Sequence, residues 1–291
     1  MLFVGDIEKI IMLIILSQYL DKKKPVNLML VAKSESGGST MMKQFEHIKE
    51  VHFTSDITYS GLIDKIRDIE SGNLKVLMIS DYNKILSRPM TTRINFETIM
   101  NNLIEEGTKN IDLPHDMKLK LNDFVSLSLV TKVTTEMYND TILDWYKTGF
   151  IQRFLIIKYA YDEEETKQIM NFITSNKQFN VINYKIPKLS IVKVNCETDF
   201  YDKLIPLSKE ITMSYGFRIQ QQLQLLLNAQ ALFRYIDENI DIKEFGDIEI
   251  SVIEDDVKEI VRLSGYFYRP HIKIGREMID KDSLRNWKET K

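Results

Sequence analysis

Apolar residues fall along this chain in long unbroken runs and in spaced stripes, and the two kinds predict different elements. Residues 5–20 are apolar on every side around "IIMLIIL", Ile10 to Leu16, and predict a buried helix that ends near "DKKKP". "VNLMLVA", Val26 to Ala32, does not alternate and predicts a strand buried on both faces. "EVHFTS" predicts a second short strand, "KVLMIS" a third, "DFVSLSLVTKV" a fourth and "RFLIIKYAY" a fifth. Between them "SGLIDKIRDIES" reads as a helix stopped at Ser71-Gly72, and "INFETIMNNLIEEG" as one closed by Gly107. Strands that alternate with helices predict an α/β fold, with a mainly parallel sheet sandwiched by helices.

After Asp162 the pattern changes. "DEEETKQIMNFITSN" predicts a solvated helix, since acids are favourable at a helix N-terminus. "NYKIPKLSIVKVN" reads as an extended connector. From Asp202 to Tyr268 the reading is helical. Ile219, Leu223, Leu226 and Leu227 share one face of "FRIQQQLQLLLNAQALFRYI". Ser251-x-x-Glu254 has capping-box spacing, and Val257, Ile260 and Val261 follow on one stripe. The expected organisation is an α/β domain over 1–165, a connector over 166–200, a small helical domain over 201–268 and a basic tail over 269–291.

Composition narrows the function. The 291 residues carry a net charge of −3, so contact with nucleic acid requires a local patch. The one cysteine, Cys196, excludes an intrachain disulfide and suits a reducing cytoplasm. Four scattered histidines, His47, His52, His115 and His271, give no zinc-ligand spacing. The apolar run at Ile10 is too short to span a bilayer, and Asp6 and Glu8 before it suit neither a membrane anchor nor a signal peptide.

One loop carries candidate chemistry. "VAKSESGGSTMMKQF", Val31 to Phe45, follows the first strand and leads into a helix. Laid on the phosphate-loop pattern G-x-x-x-x-G-K-[ST], the eight positions run from Ala32 to Ser39. Gly37 is the second glycine and Ser39 the magnesium-binding hydroxyl, with Thr40 after it. Ala32 replaces the first glycine, and Gly38 stands where the lysine belongs. Ser36, Gly37, Gly38 and Ser39 are small enough to let backbone amides approach an anion, and Lys33 is the nearest substitute cation. An ordinary Gly-Ser turn is the competing reading. The third strand ends in "VLMISD". Asp81 there is the metal acid, with Tyr82 at the place of a catalytic glutamate, or Ser80 fills the first place and Asp81 the second.

The order of these motifs resembles a diverged AAA+ P-loop ATPase, nearest the minichromosome-maintenance type of helicase motor. "GDIEKIIMLIILSQYL", "VNLMLVAKSESGGSTMMK", "VHFTSDITYSGLI" and "VLMISDYNKI" are similar to that family's opening helix, phosphate loop, second strand and acid strand. "INFETIMNNLIEEGTKNI" resembles the helix leading to a hairpin that faces DNA. "LSLVTKVTTEMY" falls at the sensor-1 strand, with Thr134 in place of asparagine. "GFIQRFLIIKYAYD" is similar to the S-R-F-D element, with Gln152 for the serine and Leu155 for the aspartate. "FRIQQQLQLLLNAQALFR" and "DIEISVIEDDVKEIVRL" are similar to lid helices. The resemblance runs from Gly5 to Gly265, and the motor-like part begins almost at Met1, without the family's amino-terminal DNA-binding domain.

The resemblance implies ATP and Mg2+, with Ser39 and Asp81 at the metal. It implies that Thr134 orients a water, that Arg153 serves as an arginine finger in a neighbouring subunit, and that Arg218 reads the nucleotide from the helical lid. DNA is the implied partner, met by Lys118 and Lys120 in "DLPHDMKLKL" or by the tail residues Arg269, Lys273, Arg276 and Lys281. The implied activity is that of a replication or mobile-element motor or loader, with weak or partner-dependent hydrolysis. The alternative is a non-hydrolysing DNA-binding or assembly subunit, favoured by the absent loop lysine. A third reading is an unrelated α/β protein with an accidental loop.

Overall fold

The computed structural model describes residues 2–21, 24–105, 107–112, 118–175, 186–212, 215–239 and 244–269. Helix α1 (Leu2–Ser17) precedes a βα succession: β1 (Leu28–Ala32), α2 (Gly38–Lys43), β2 (Val51–Thr54), α3 (Tyr59–Glu70), β3 (Val76–Ile79), α4 (Asn83–Leu86) and α5 (Met90–Leu103). A hairpin follows, β4 (Thr108–Asp112) with β5 (Lys118–Val125), and then β6 (Ser128–Thr134), α6 (Thr135–Lys147), β7 (Leu155–Tyr159) and α7 (Glu163–Thr174). The remainder is β8 (Lys188–Leu189), β9 (Val192–Asn195), α8 (Thr198–Asp202), α9 (Ile205–Ile211), α10 (Phe217–Glu238), β10 (Glu244–Phe245), β11 (Ile248–Ser251) and α11 (Glu254–Ser264).

The chain is an α/β protein built on a five-stranded sheet in the order β2-β3-β6-β1-β7, with every pairing parallel. Both faces are covered, which is why its strands read as unbroken apolar runs. On one face Leu28, Leu30, Met78, Val130 and Ile157 meet α1, α10 and α11. On the other Met29, Val31, Leu77, Leu129 and Ile156 meet α3, α5 and α6. Helix α1 is apolar all round because the sheet lies on one side and α10 on the other; Ile7, Ile10, Leu13 and Ile14 have no exposed surface. Each such side chain contributes about 1.5–3 kcal/mol by burial. The same apolar cluster continues into Leu226, Leu232, Val257 and Ile260, beyond the connector.

Three local expectations change. The run read as one fourth strand is two: β5 ends at Val125 in the antiparallel hairpin, and β6 begins at Ser128 in the main sheet. The connector is not merely extended: β9 pairs with β11 and β8 with β10, which stitches it to the C-terminal part. The cap of α11 forms two residues later than Ser251-x-x-Glu254 predicts. The Ile253 amide donates to Asp256 Oδ2 at 3.0 Å, and Arg234 holds that buried carboxylate from α10.

The geometry fixes two edges. Loops after β1, β3, β6 and β7 leave at the carboxyl edge of the sheet, and the residues before β1 and β7 gather at the amino edge. Ligands of open parallel sheets bind at the carboxyl edge.

Candidate nucleotide-binding site

The loop from Lys33 to Gly37 leaves β1 at the carboxyl edge. Glu35 and Gly37 both have positive φ, 62° and 75°, so the backbone enters the left-handed region twice within three residues. Glycine adopts this region without strain; glutamate does so at a cost, and such strain persists where the surroundings impose it. Two tyrosines from the end of β7 impose it here. Tyr161 Oη donates to the Ser36 carbonyl at 2.8 Å, and Tyr159 Oη donates to the same oxygen at 3.3 Å. Burial pushes the Tyr159 phenol up to about 12, so it remains a neutral donor. Among the described residues the amides of Ser36, Gly37, Gly38 and Ser39 donate to no protein acceptor. Ser36 and Gly38 are buried, whereas Lys33 and Thr40 are exposed. Among the described residues the Lys33 side chain makes no hydrogen bond or ion pair, and the lysine side chain beside Gly38 is a different one.

That lysine is Lys132 of β6. A Cβ at Gly38 would stand 2.9 Å from Lys132 Cδ and 2.7 Å from Tyr159 Oη, closer than side chains tolerate. The site of the missing loop lysine is therefore filled from the neighbouring strands. Lys132 occupies an inward position next to Val130, on the face where β1 presents Leu28 and Leu30. Burial lowers the proton affinity of its amine, and the charge of Asp81 acts in the opposite sense. Sequence reading passed over Lys132. Its signal was the single charged residue of β6, two positions after the inward Val130.

The hydroxyl and acid positions also meet. Ser39 Oγ donates to the Ser80 carbonyl at 3.2 Å, which joins the start of α2 to the end of β3. Ser80 is buried with its amide on Thr54, while Asp81 is partly exposed, 4.0 Å from Lys84 Nζ. Tyr82, at the place of a catalytic glutamate, is wholly buried against Phe96, Trp145 and Phe150. Thr134 ends β6 opposite Ala32, and its hydroxyl is shared between Asn83 Oδ1 at 3.4 Å and the first turn of α6. Asn83, also unremarked in the sequence, accepts the Thr134 amide at 3.1 Å. Among the described residues no group of three or more His, Cys, Asp or Glu side chains could hold a metal alone. Magnesium needs no such cage, since it takes one or two protein oxygens with phosphates and water. Ser39 and Asp81 fit that donor set.

Arg153 and Arg218 lie at the other end of the sheet. Arg153 precedes β7, and both guanidiniums close on the carboxylate of Glu105, Arg153 through Nη2 and Arg218 through Nε. Arg153 also donates to the Gly149 carbonyl. Asn27 and Gln222 anchor the same corner through the Arg153 carbonyl, at 3.0 and 2.9 Å. Glu105, Arg153, Arg218 and Gln222 border a cavity of about 560 Å³ with Lys24, Tyr215 and Phe217. A five-residue strand separates the edges by roughly 15 Å. Arg218 therefore lies away from its own chain's loop. Lys120 is exposed on β5 of the hairpin, and only the backbone of Lys118 is described. Lys273, Arg276 and Lys281 of the tail lie outside the described residues.

No protein-family model matches the chain, and no curated protein is similar to it at a significant level. Among solved structures it is similar to the active helicase Cch of SCCmec type IV, at 10% identity and a TM-score of 0.37, over 93% of this chain and 64% of that one. It is also similar to the AAA domain of FIGL-1, at 13% identity and a TM-score of 0.27, over 91% of this chain and 76% of that one. The chain thus spans less than two thirds of the helicase's length. Likenesses of this size say nothing about chemistry, which rests on the residues at the carboxyl edge.

Proposed function

We propose that this chain is a diverged, AAA+-like nucleotide-binding protein that takes Mg·ATP in the loop after β1. The observation that carries the reading is the Ser39–Ser80 hydrogen bond, because it sets the magnesium-type hydroxyl beside the strand that ends in Asp81. Undonated amides at Ser36, Gly37, Gly38 and Ser39 support an anionic tail at the same place. Hydrolysis is slow or absent in the isolated chain. A buried tyrosine stands where a carboxylate would align water, and the Thr134 hydroxyl is engaged by Asn83.

In this reading Arg153 and Arg218 meet phosphate only on a neighbouring copy, because their own loop lies at the far edge. Turnover then needs assembly and release of at least one arginine from Glu105. Action on DNA is the further part of the proposal, and the antiparallel β4–β5 hairpin with Lys118 and Lys120 supports it.

Isothermal titration of the full chain with ATP, with and without Mg2+, tests the core of the proposal. Magnesium-dependent binding between micromolar and millimolar is expected. Indifference to both nucleotide and metal overturns it.

A further inference from the structure

We infer that Lys132 of β6 supplies the phosphate-neutralising cation of this site, in the space that a lysine at position 38 would otherwise occupy. The inference rests on the nucleotide reading above and assigns it a residue that the loop motif does not contain.

Three observations carry it. First, a Cβ at Gly38 would lie 2.9 Å from Lys132 Cδ and 3.4 Å from its Cε. A side chain at 38 would have to displace Lys132, and also Tyr159 Oη at 2.7 Å, so glycine at 38 lets Lys132 lie where it does. Gly38 has no positive φ that would itself demand glycine. Second, β6 stands between β1, which carries the loop, and β3, which leads to Asp81. A side chain from β6 on that face therefore reaches the space between loop and acid. Third, the Lys132 ammonium makes no hydrogen bond or ion pair among the described residues, although the residue is half buried. A half-buried unpaired charge is costly, and an anionic ligand would relieve that cost. Asp81 lies near enough to act on Lys132 but makes no ion pair with it. That leaves the ammonium available to an outer phosphate while Asp81 serves the metal.

The roles of the parts follow. The loop amides wrap the inner phosphates, Ser39 and Asp81 hold the magnesium, and Lys132 neutralises an outer phosphate from a strand rather than from the loop. A strand cation is fixed by the sheet, so it is pre-positioned but cannot move with the loop.

The test is binding of ATP and of AMP to the full chain, by isothermal titration in the presence of Mg2+. Lys132→Met keeps the length and packing of the side chain and removes its charge. It is expected to weaken ATP at least tenfold, leave AMP within twofold and preserve the melting temperature. Lys132→Arg is expected to recover part of the loss. A relocation variant, Gly38→Lys with Lys132→Ala and Tyr159→Phe, vacates the space and returns a lysine to the loop; it is expected to regain ATP affinity over Lys132→Ala with Tyr159→Phe. If wild-type chain binds Mg·ATP and Lys132→Met binds it equally well, this inference is overturned and the nucleotide reading stands. Equal loss of ATP and AMP affinity, or a lowered melting temperature, makes Lys132 structural and also overturns it. If wild-type chain binds no nucleotide, both fall together.

Discussion

Ser39 Oγ donates to the carbonyl oxygen of Ser80 at 3.2 Å, so the turn after β1 and the end of β3 are physically joined. Asp81, the next residue, is thereby held at the loop's edge. Ser39→Ala and Asp81→Asn should each weaken ATP binding roughly tenfold when Mg2+ is present, about 1.4 kcal/mol. Without Mg2+ each variant should match wild type. Calorimetric titrations run with Mg2+ and with a chelator separate the two cases, and equal loss in both would mean that the pair holds the loop rather than the metal.

Glu105 pairs with two arginines, of which Arg153 is the more buried. Glu105→Ala leaves the Arg153 guanidinium without its counter-ion, and burial already lowers that group's proton affinity. A cost of about 1–2 kcal/mol is expected, below the cost at a fully buried pair because Glu105 retains some solvent contact. Arg218→Ala, at the more exposed partner, should cost less than about 1 kcal/mol. Urea unfolding of the two variants ranks them, and the reverse order would show that the pair is held together by something other than Arg153.

In the proposed reading Tyr82 stands at the place of a catalytic glutamate, and its hydroxyl is buried with no hydrogen-bond partner among the described residues. Burial and the nearby Glu97 hold the phenol well above its usual range. Tyr82→Phe keeps the ring against Trp145 and removes an unsatisfied polar atom. It should be neutral or stabilising by up to about 1 kcal/mol, with ATP affinity unchanged. A large loss of affinity in a folded Tyr82→Phe protein would assign the hydroxyl a role at the site after all.

Glu97 is buried and accepts from Trp145 Nε1 at 2.9 Å. Burial raises its pKa, and the indole bond offsets this only in part. The folded chain therefore keeps the Glu97 proton over a window above the ordinary carboxylate value, where the unfolded chain has lost it. Its contribution to stability is greatest below that window and declines as pH rises through it. Glu97→Gln keeps an acceptor for Trp145 and cannot ionise. Melting temperatures of variant and wild type should converge near pH 4, and the variant should melt higher at neutral pH. Parallel curves would place the charge elsewhere.

The layers of the fold were legible in the chain itself. Unbroken apolar runs at Leu28–Ala32, Val76–Ile79 and Leu155–Ile157 mark strands covered on both sides, and α1 is apolar all round because it too is covered on both sides. The loop was legible as well, since Ser36, Gly37, Gly38 and Ser39 are contiguous and their smallness is a local property. What spacing could not give was which distant residues share an edge. Lys132 lies far from Gly38 in sequence and comes to it only because β6 pairs beside β1. Nor could spacing show that Arg153 and Arg218 come together at the amino edge, closed on Glu105. The division between β5 and β6 and the pairing of β9 with β11 were decided in the same way. Periodicity reports which face of an element is buried, a matter of neighbours along the chain; the order of strands in a sheet is set by packing between remote segments, and that order alone brought Lys132 beside Gly38.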